Sequence, residues 1–398
     1  MNIPRISHIV VSGLLAVSLL VPLTAAAATN WSLPIALGSG GSKPAVAVDA
    51  NGQQHFVWWE PSSKKIQYAL CTGADGSNCT NASDLPSKGA SYYPNIAIDP
   101  QGRPNVVFET KYGGSYQVFW MRKESDGWST PVKISNKPYS ELPDIASGTD
   151  GVIHVIYQSK RDGTGYVYYT KNKGGMWSKA KALTQVKSEK PLSTFGEVAE
   201  EGVNNLEAKQ LSNGFFPHIA VDSENHVHAV WNAPSPYGIK YRYQMGNKKW
   251  SKTITVANGQ KEQAADIAVT PDGAVGIVWG RYNDFNAAFA KYRNGKRDNY
   301  VSDIDGGLAQ SLWPRIAADC AGTFHFVFQA KPTPDYSWNV YYRSYNPATN
   351  SLGNRMVITQ LGAQEQTPAI AMGSVAAIVW ANTSYATTYA SVASTSCP

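Results

Sequence analysis

The stretch Pro217-His218-Ile219-Ala220-Val221-Asp222, running on through Asn225 and His228 to Trp231, is one of seven altered copies of a single unit. The others are Pro44 to Trp58, Pro94 to Phe108, Pro143 to Tyr157, Ala265 to Trp279, Pro314 to Phe328 and Pro368 to Trp380. In six copies the closing aromatic lies fourteen positions after the Pro-type residue; in the last it lies twelve after, and the Asp-x-x-Gly turn is missing. A spacing held that constant marks a repeat architecture, in which each unit buries its faces only by stacking on its neighbours.

Each unit reads as two strands. Ala45-Val-Ala-Val48 and Ile219-Ala-Val221 are short, small and apolar, as suits an innermost strand crowded near an axis. Asp49-Ala-Asn-Gly52, Asp99-Pro-Gln-Gly102 and Asp222-Ser-Glu-Asn225 are tight turns, with Gly or Asn where a positive φ is needed. A β-branched and aromatic strand follows, such as His55-Phe-Val-Trp58. A third strand carries Tyr68, Phe119, Tyr168, Tyr241, Phe289, Tyr341 or Tyr389, and a fourth opens on Trp128-Ser129, Trp177-Ser178 or Trp250-Ser251. Four antiparallel strands every ~50 residues, without helical periodicity between them, predict an all-β chain folded as a seven-bladed β-propeller. Asn30-Trp31-Ser32 to Leu37 looks like a fourth strand placed before the first unit, and the last unit stops after its third strand near Val392. The N-terminal strand is therefore expected to complete the last blade and close the ring.

The ends fit export. Ile9 to Leu23 is almost wholly apolar and Ala25-Ala26-Ala27-Ala28 offers small residues for cleavage, so residues 1–28 read as a secretory signal and 29–398 as one propeller domain. No Cys follows the apolar run, which argues against a lipoprotein, and no later stretch reaches the ~18 to 20 apolar residues of a membrane span. The expected location is secreted, or periplasmic in a host with two membranes. Cys71 and Cys79 bracket the turn-rich tip Thr-Gly-Ala-Asp-Gly-Ser-Asn, which favours pairing them; Cys320 and Cys397 remain. A net charge of +6 with no basic, aromatic-interleaved run makes nucleic acid a poor partner.

One interval breaks the rhythm. Pro143 to Pro217 spans 74 residues where the others span 48 to 54. The excess, about 187–213, carries Glu189, Glu197, Glu200, Glu201 and Glu207, and reads either as an acidic surface loop or as a wall over one end of the channel.

The pattern Pro-x-Ile-Ala-Val-Asp-x-x-Gly leading to Val-Trp, then a third-strand aromatic, then Gly-Trp-Ser, resembles the repeats of the sialidase-like (Asp-box, or BNR) β-propellers. Ser125-Asp126-Gly127-Trp128 and Gly174-Gly175-Met176-Trp177 are similar to shortened Asp-box turns. The resemblance covers nearly the whole mature chain and implies fold. Sialidases have six blades, and this chain has neither a full Asp box nor an Arg-Ile-Pro motif, so their arginine triad and Tyr–Glu pair have no counterparts to assign here.

A repeat separates structural residues from candidates for function. His55, His154, His228 and His325 share one position and belong to separate blades, so they read as structural and not as a metal site. The residue after the Pro varies instead: Ala45, Asn95, Asp144, His218, Asp266, Arg315 and Ala369. This position should lie near the channel mouth, with the loops before each Pro and after each second strand, which add Trp59, Glu60, Tyr93, Tyr237, Arg281 and Trp313. Asp144, Asp266 and His218 are candidates for acid–base catalysis, and Arg315 with Arg281 for holding an anionic group. Asn95, Trp59, Glu60, Tyr93, Trp313 and Tyr237 are candidates for binding a sugar by stacking and hydrogen bonds. Three readings stay open: a carbohydrate-binding propeller, a glycosidase or polysaccharide lyase, and an extracellular scaffold for a protein partner. No cofactor or metal is expected, since no phosphate-cradling loop, zinc motif or EF-hand loop is present, and Asp303-Ile-Asp305-Gly306-Gly307 reads as a turn.

Overall fold

The computed structural model describes residues 30–87, 89–161, 164–184, 214–234, 237–246, 248–259, 261–359, 364–395 and 397. The expected export signal and the 187–213 insertion lie outside them.

The described residues form seven antiparallel sheets of four strands side by side, the outer strand of three of them being in two short pieces; six sheets take their strands in chain order, and the seventh takes its fourth from the N-terminal end. The inner strands are Ser42–Val48, Ser91–Ile98, Ser140–Ser147, Phe215–Val221, Glu262–Val269, Gln310–Ala318 and Glu365–Met372. Each touches the inner strand of both neighbouring sheets, the first against the seventh included, so the sheets are blades around one axis. The protein is a seven-bladed β-propeller. Every inner strand has alanine three positions after its Pro-type residue, from Ala47 to Ala371. A methyl group is what fits where seven backbones converge.

The ring closes as its repeats require. Ile35–Ser39 pairs antiparallel with Thr387–Ser394, with Ile35 opposite Ala390, and supplies the fourth strand of blade seven. Cys320, in the turn of blade six, is disulfide-bonded to Cys397 beyond blade seven, and Cys71 pairs with Cys79 across the tip of blade one.

The recurring side chains hold the blades together. Trp58, Trp231, Trp279 and Trp380 are at most 2% exposed and fill the space between blades. Each of the four shared histidines points Nδ1 at a tyrosine hydroxyl in the third strand of its own blade: His55 at Tyr68, His154 at Tyr169, His228 at Tyr241 and His325 at Tyr342, all at 2.7 to 2.8 Å. On the other side of its imidazole, His325 Nε2 lies 3.0 Å from the turn carboxylate of Asp319. These histidines are structural.

The outer strands of blades one, two, three and six are short, made of pieces of two residues each. A Trp-Ser pair marks the outer edge of blades two, three and four. The serine hydroxyl caps the third strand of its own blade, accepting the N–H of Arg122, Lys171 or Tyr243. The tryptophan turns onto the preceding blade, Trp128 edge-on to Tyr68, Trp177 to Trp120 and Trp250 to Tyr169. Trp31-Ser32 repeats the device: Trp31 packs on Tyr342 of blade six, and the Ser32 hydroxyl accepts the N–H of Val392.

Candidate functional site

Every inner strand begins with a bulge. Register shifts fall at Ser42/Ala45, Tyr92/Asn95, Glu141/Asp144, Phe215/His218, Gln263/Asp266, Leu312/Arg315 and Gln366/Ala369. In each, the residue before the Pro-type position is left-handed: Lys43, Tyr93, Leu142, Phe216, Ala264, Trp313 and Thr367 have φ between 48° and 53°. A left-handed residue with a side chain costs roughly 1 to 2 kcal/mol, so seven in a row must be held by their surroundings. Part of the hold comes from the blade before. Its second strand presents an acceptor to the bulge N–H: Glu109 to Leu142 (2.7 Å), Gln158 to Phe216 (3.3 Å) and Gln329 to Thr367 (2.8 Å).

The bulges bring side chains from distant blades together over the axis. The Lys43 ammonium of blade one lies 5.5 Å from the ring centroid of Tyr93 in blade two and 5.3 Å from that of Trp313 in blade six. Trp313 in turn meets Phe216 of blade four edge-on at 5.6 Å. Burial, with Arg315 nearby, brings the Lys43 ammonium down to about 8. Burial, with Glu109 and Glu141 next in weight, raises the Tyr93 phenol.

The residues after the Pro-type position form a polar network one step further along the axis. Asp144 takes the N–H of Ile145 on Oδ1 (2.9 Å) and that of Ile219, in the next blade, on Oδ2 (2.8 Å). The Asn95 amide also donates to Oδ1, and His218 Nδ1 lies 3.1 Å from Oδ2. Asp266 repeats the pattern with Ile267 at 2.9 Å and Ile316 of the next blade at 3.1 Å. His218 Nδ1 is 3.4 Å from Asp266 as well, and a guanidinium nitrogen of Arg315 lies 2.6 Å from His218 Nε2. The same guanidinium nitrogen lies 3.3 Å from Nδ1, so it sits against the imidazole and not on the axis of Nε2; the acceptor-only carboxylates of Asp144 and Asp266 are what face a proton on Nδ1.

This geometry sorts the sequence candidates. Asn95, Asp144, His218, Asp266 and Arg315 converge as one network, and Tyr93 and Trp313 lie beside it with Lys43. The two aspartates act as clamps between blades. Asp144 has four donors on its two oxygens, which accounts for its acceptor sites and leaves it poorly placed to take a substrate proton. Glu60 is a turn residue: burial alone would raise its carboxyl, but the bonds from Ser63 and Ser62 outweigh that and bring it down to about 2. Trp59 packs on Tyr92 at 5.1 Å. Arg281 is tied to Asp284 at 2.8 Å and to the Ser302 carbonyl at 3.2 Å, away from Arg315. Tyr237 opens the third strand of blade four, and its side chain lies outside what is described. Asp303 and Asp305 hold a turn through the N–H groups of Gly306 and Gly307.

Sequence reasoning missed Lys43. The signal was present, since Lys43 stands directly before Pro44 where other units carry Tyr93, Phe216 and Trp313. Of the residues at that position the sequence reading took the aromatic ones, Tyr93 and Trp313, and passed over the lysine.

The same end of the ring carries exposed aromatic residues. Tyr139, Phe285, Tyr336 and Tyr385 on its loops, and Tyr112 at the end of a second strand, lie in five different blades and are 38% to 61% exposed. At the opposite end a cleft of about 470 Å³ opens between the turns, walled by Val48, Val221, Val269, Met372 and the Cys320–Cys397 bridge. The carboxylates there are engaged by their own turns, as with Asp222 on the N–H groups of Glu224 and His226.

No family model matches the chain, and no curated protein matches it by sequence. Solved structures do match its fold. An ulvan lyase, described as a member of a new polysaccharide lyase family, superposes with a TM-score of 0.58 at 7% identity, over 89% of this chain and 94% of the lyase. The polysaccharide lyase Uly1 gives 0.56 at 11% identity, over 90% and 91% of the two chains. The Aleuria aurantia lectin, in complex with a fucosylated N-acetylglucosamine, gives 0.50 at 13% identity, over 82% of this chain and all of the lectin. Sialidases also match, at TM-scores below 0.5. At these identities the likeness is one of fold, as the repeats imply. The neighbours named here are carbohydrate-binding or carbohydrate-cleaving propellers. The two disulfides, and the absence among the described residues of a helix able to cross a membrane, fit an extracellular protein.

Proposed function

We propose that the protein is exported and binds an acidic glycan over the axis, at the end where the inner strands begin. One observation carries the reading. Lys43 and Arg315 are neighbouring cations at that end, and among the described residues neither has a carboxylate within ion-pair distance. Holding two cations together in a partly desolvated site is unfavourable, and a carboxylate or sulfate between them relieves it. The exposed Tyr112, Tyr139, Phe285, Tyr336 and Tyr385 give a polymer apolar faces to cross on its way over the ring. The test is binding of immobilised polygalacturonate, heparin and dextran at two salt concentrations. Retention of an acidic polymer, weakened by salt, with no retention of dextran supports the reading; equal retention of all three, or of none, contradicts it.

A second reading, a polysaccharide lyase, is favoured by the depressed Lys43. An amine near 8 is in part a free base at neutral pH and can take the proton α to a uronate carboxylate that Arg315 neutralises. The electron pair then forms the C4–C5 double bond as the glycosidic C4–O bond breaks. The Tyr93 hydroxyl is the neighbouring group that could protonate the leaving oxygen. Appearance of ultraviolet absorbance from unsaturated uronate during incubation with polygalacturonate is the readout; a flat trace leaves binding as the function.

A further inference from the structure

Among the described residues blade five has the longest outer strand, followed by the five residues of blade seven and the four of blade four. The blade-five strand, Lys296–Val301, is six residues long, where the outer strands of blades one, two, three and six are made of pieces of two residues each. The extra length carries Arg297 and Tyr300 to the wall of a cleft of about 520 Å³, bounded on its other side by Ile254–Ala257, the outer strand of blade four. The cleft lies on the flank of the ring, distinct from the axis.

We propose that this cleft is an independent binding site for a neutral sugar ring. Its volume falls within the ~300 to 1,000 Å³ usual for small-molecule sites. Tyr300, 45% exposed, is a platform fixed by its neighbours: its ring stacks at 29° on buried Trp279, with centroids 6.1 Å apart, and the Arg297 guanidinium lies 5.9 Å from its centroid. A pre-organised aromatic face of this kind is what the C–H face of a pyranose packs on. Glu262 lines the cleft as well. One carboxylate oxygen takes the indole N–H of Trp279; the other has only Arg281, at 3.9 Å, beyond hydrogen-bond reach. That oxygen is a half-buried acceptor without a close donor among the described residues, and a sugar hydroxyl satisfies it. Thr255 and Asn258 add neutral polar groups to the lining. Glu262 and Arg297 carry opposite charges, so the cleft offers a polyhydroxylated ring both donors and acceptors without selecting for a charge. The contrast with the axis, where unpaired cations select an anion, makes the two sites separable.

The test is saturation-transfer NMR on the full mature chain with glucose, galactose, mannose, fucose and N-acetylglucosamine, each titrated alone. At least one should bind saturably in the millimolar range. Tyr300→Ala should weaken it at least tenfold. Glu262→Gln, which keeps an acceptor for Trp279 and so preserves the fold, should also weaken it. Adding polygalacturonate should leave it unchanged. The proposal is overturned if none of the five sugars binds, if both variants bind as the parent does, or if polygalacturonate displaces the sugar. These results are independent of whether the axial site binds acidic polymers.

Discussion

The Arg315 guanidinium of blade six lies 2.6 Å from Nε2 and 3.3 Å from Nδ1 of His218 in blade four, passing over blade five to reach it. On its other side the imidazole has Asp144 at 3.1 Å and Asp266 at 3.4 Å from Nδ1, and both carboxylates can only accept. The network therefore links blades two, three, four, five and six through their post-proline side chains, while blades one and seven contribute only Ala45 and Ala369.

If Asp144 is a clamp, removing its charge should cost stability. The amide introduced by Asp144→Asn would meet the donors from Asn95, Ile145, Ile219 and His218 with one acceptor oxygen in place of two. The substitution should lower the unfolding free energy by roughly 2 to 4 kcal/mol, since buried donors would lose partners. Urea denaturation checks this. A variant as stable as the parent would return Asp144 to the list of catalytic candidates.

Glu109 should make stability fall as pH rises. Its carboxyl is buried beside Glu141, and burial followed by that charge pushes it up to about 8; the Leu142 N–H and Lys160 oppose the shift. The folded state thus holds a proton that the unfolded chain releases near its ordinary value of 4.5. The favourable contribution is complete below that pH and is lost progressively up to about 8. Glu109→Gln keeps an acceptor for Leu142 and removes the titration. At about pH 8 it should gain ~1 to 3 kcal/mol over the parent, with little difference at about pH 4.5. Thermal unfolding at the two pH values measures it; an equal effect at both would contradict the assignment.

The Cys320–Cys397 bridge ties the closing segment to blade six across 77 residues. Replacing both cysteines by serine should cost about 2 to 4 kcal/mol, mainly by relaxing a constraint on the unfolded chain. Chemical denaturation of the double variant, with Cys71–Cys79 left intact, gives the value. An unchanged midpoint would mean that the pairing of Ile35–Ser39 with Thr387–Ser394 closes the ring unaided.

The architecture was legible because it repeats. Fourteen-position spacing from Pro44, Pro94 and Pro143 onward is enforced by the same inner strand, turn and inter-blade aromatic, so seven imperfect copies reinforce one reading. The site was legible only in part, for the opposite reason. Asn95, Asp144, His218, Asp266 and Arg315 stood out as variable residues at one position, and they do meet. Lys43 did not stand out, because its position over Tyr93 and Trp313 depends on a left-handed bulge that proline spacing does not announce. Arg281 and Glu60 share the loops of that end, but local partners, Asp284 and Ser62, hold them where they are. Sequence position gives the loop a side chain starts from, whereas its neighbours decide where it ends.

The most direct test of the acidic-glycan reading is the pH dependence of oligogalacturonate binding, measured by calorimetry on the parent and on Lys43→Met. A protonated Lys43 attracts the carboxylate and a neutral one does not, and the ammonium titrates near 8. Affinity should hold below about pH 7, fall at least several-fold between about pH 7 and 9, and be weak and nearly flat in Lys43→Met. Binding by the parent that is unchanged across this range, or equally strong in Lys43→Met, would contradict the account.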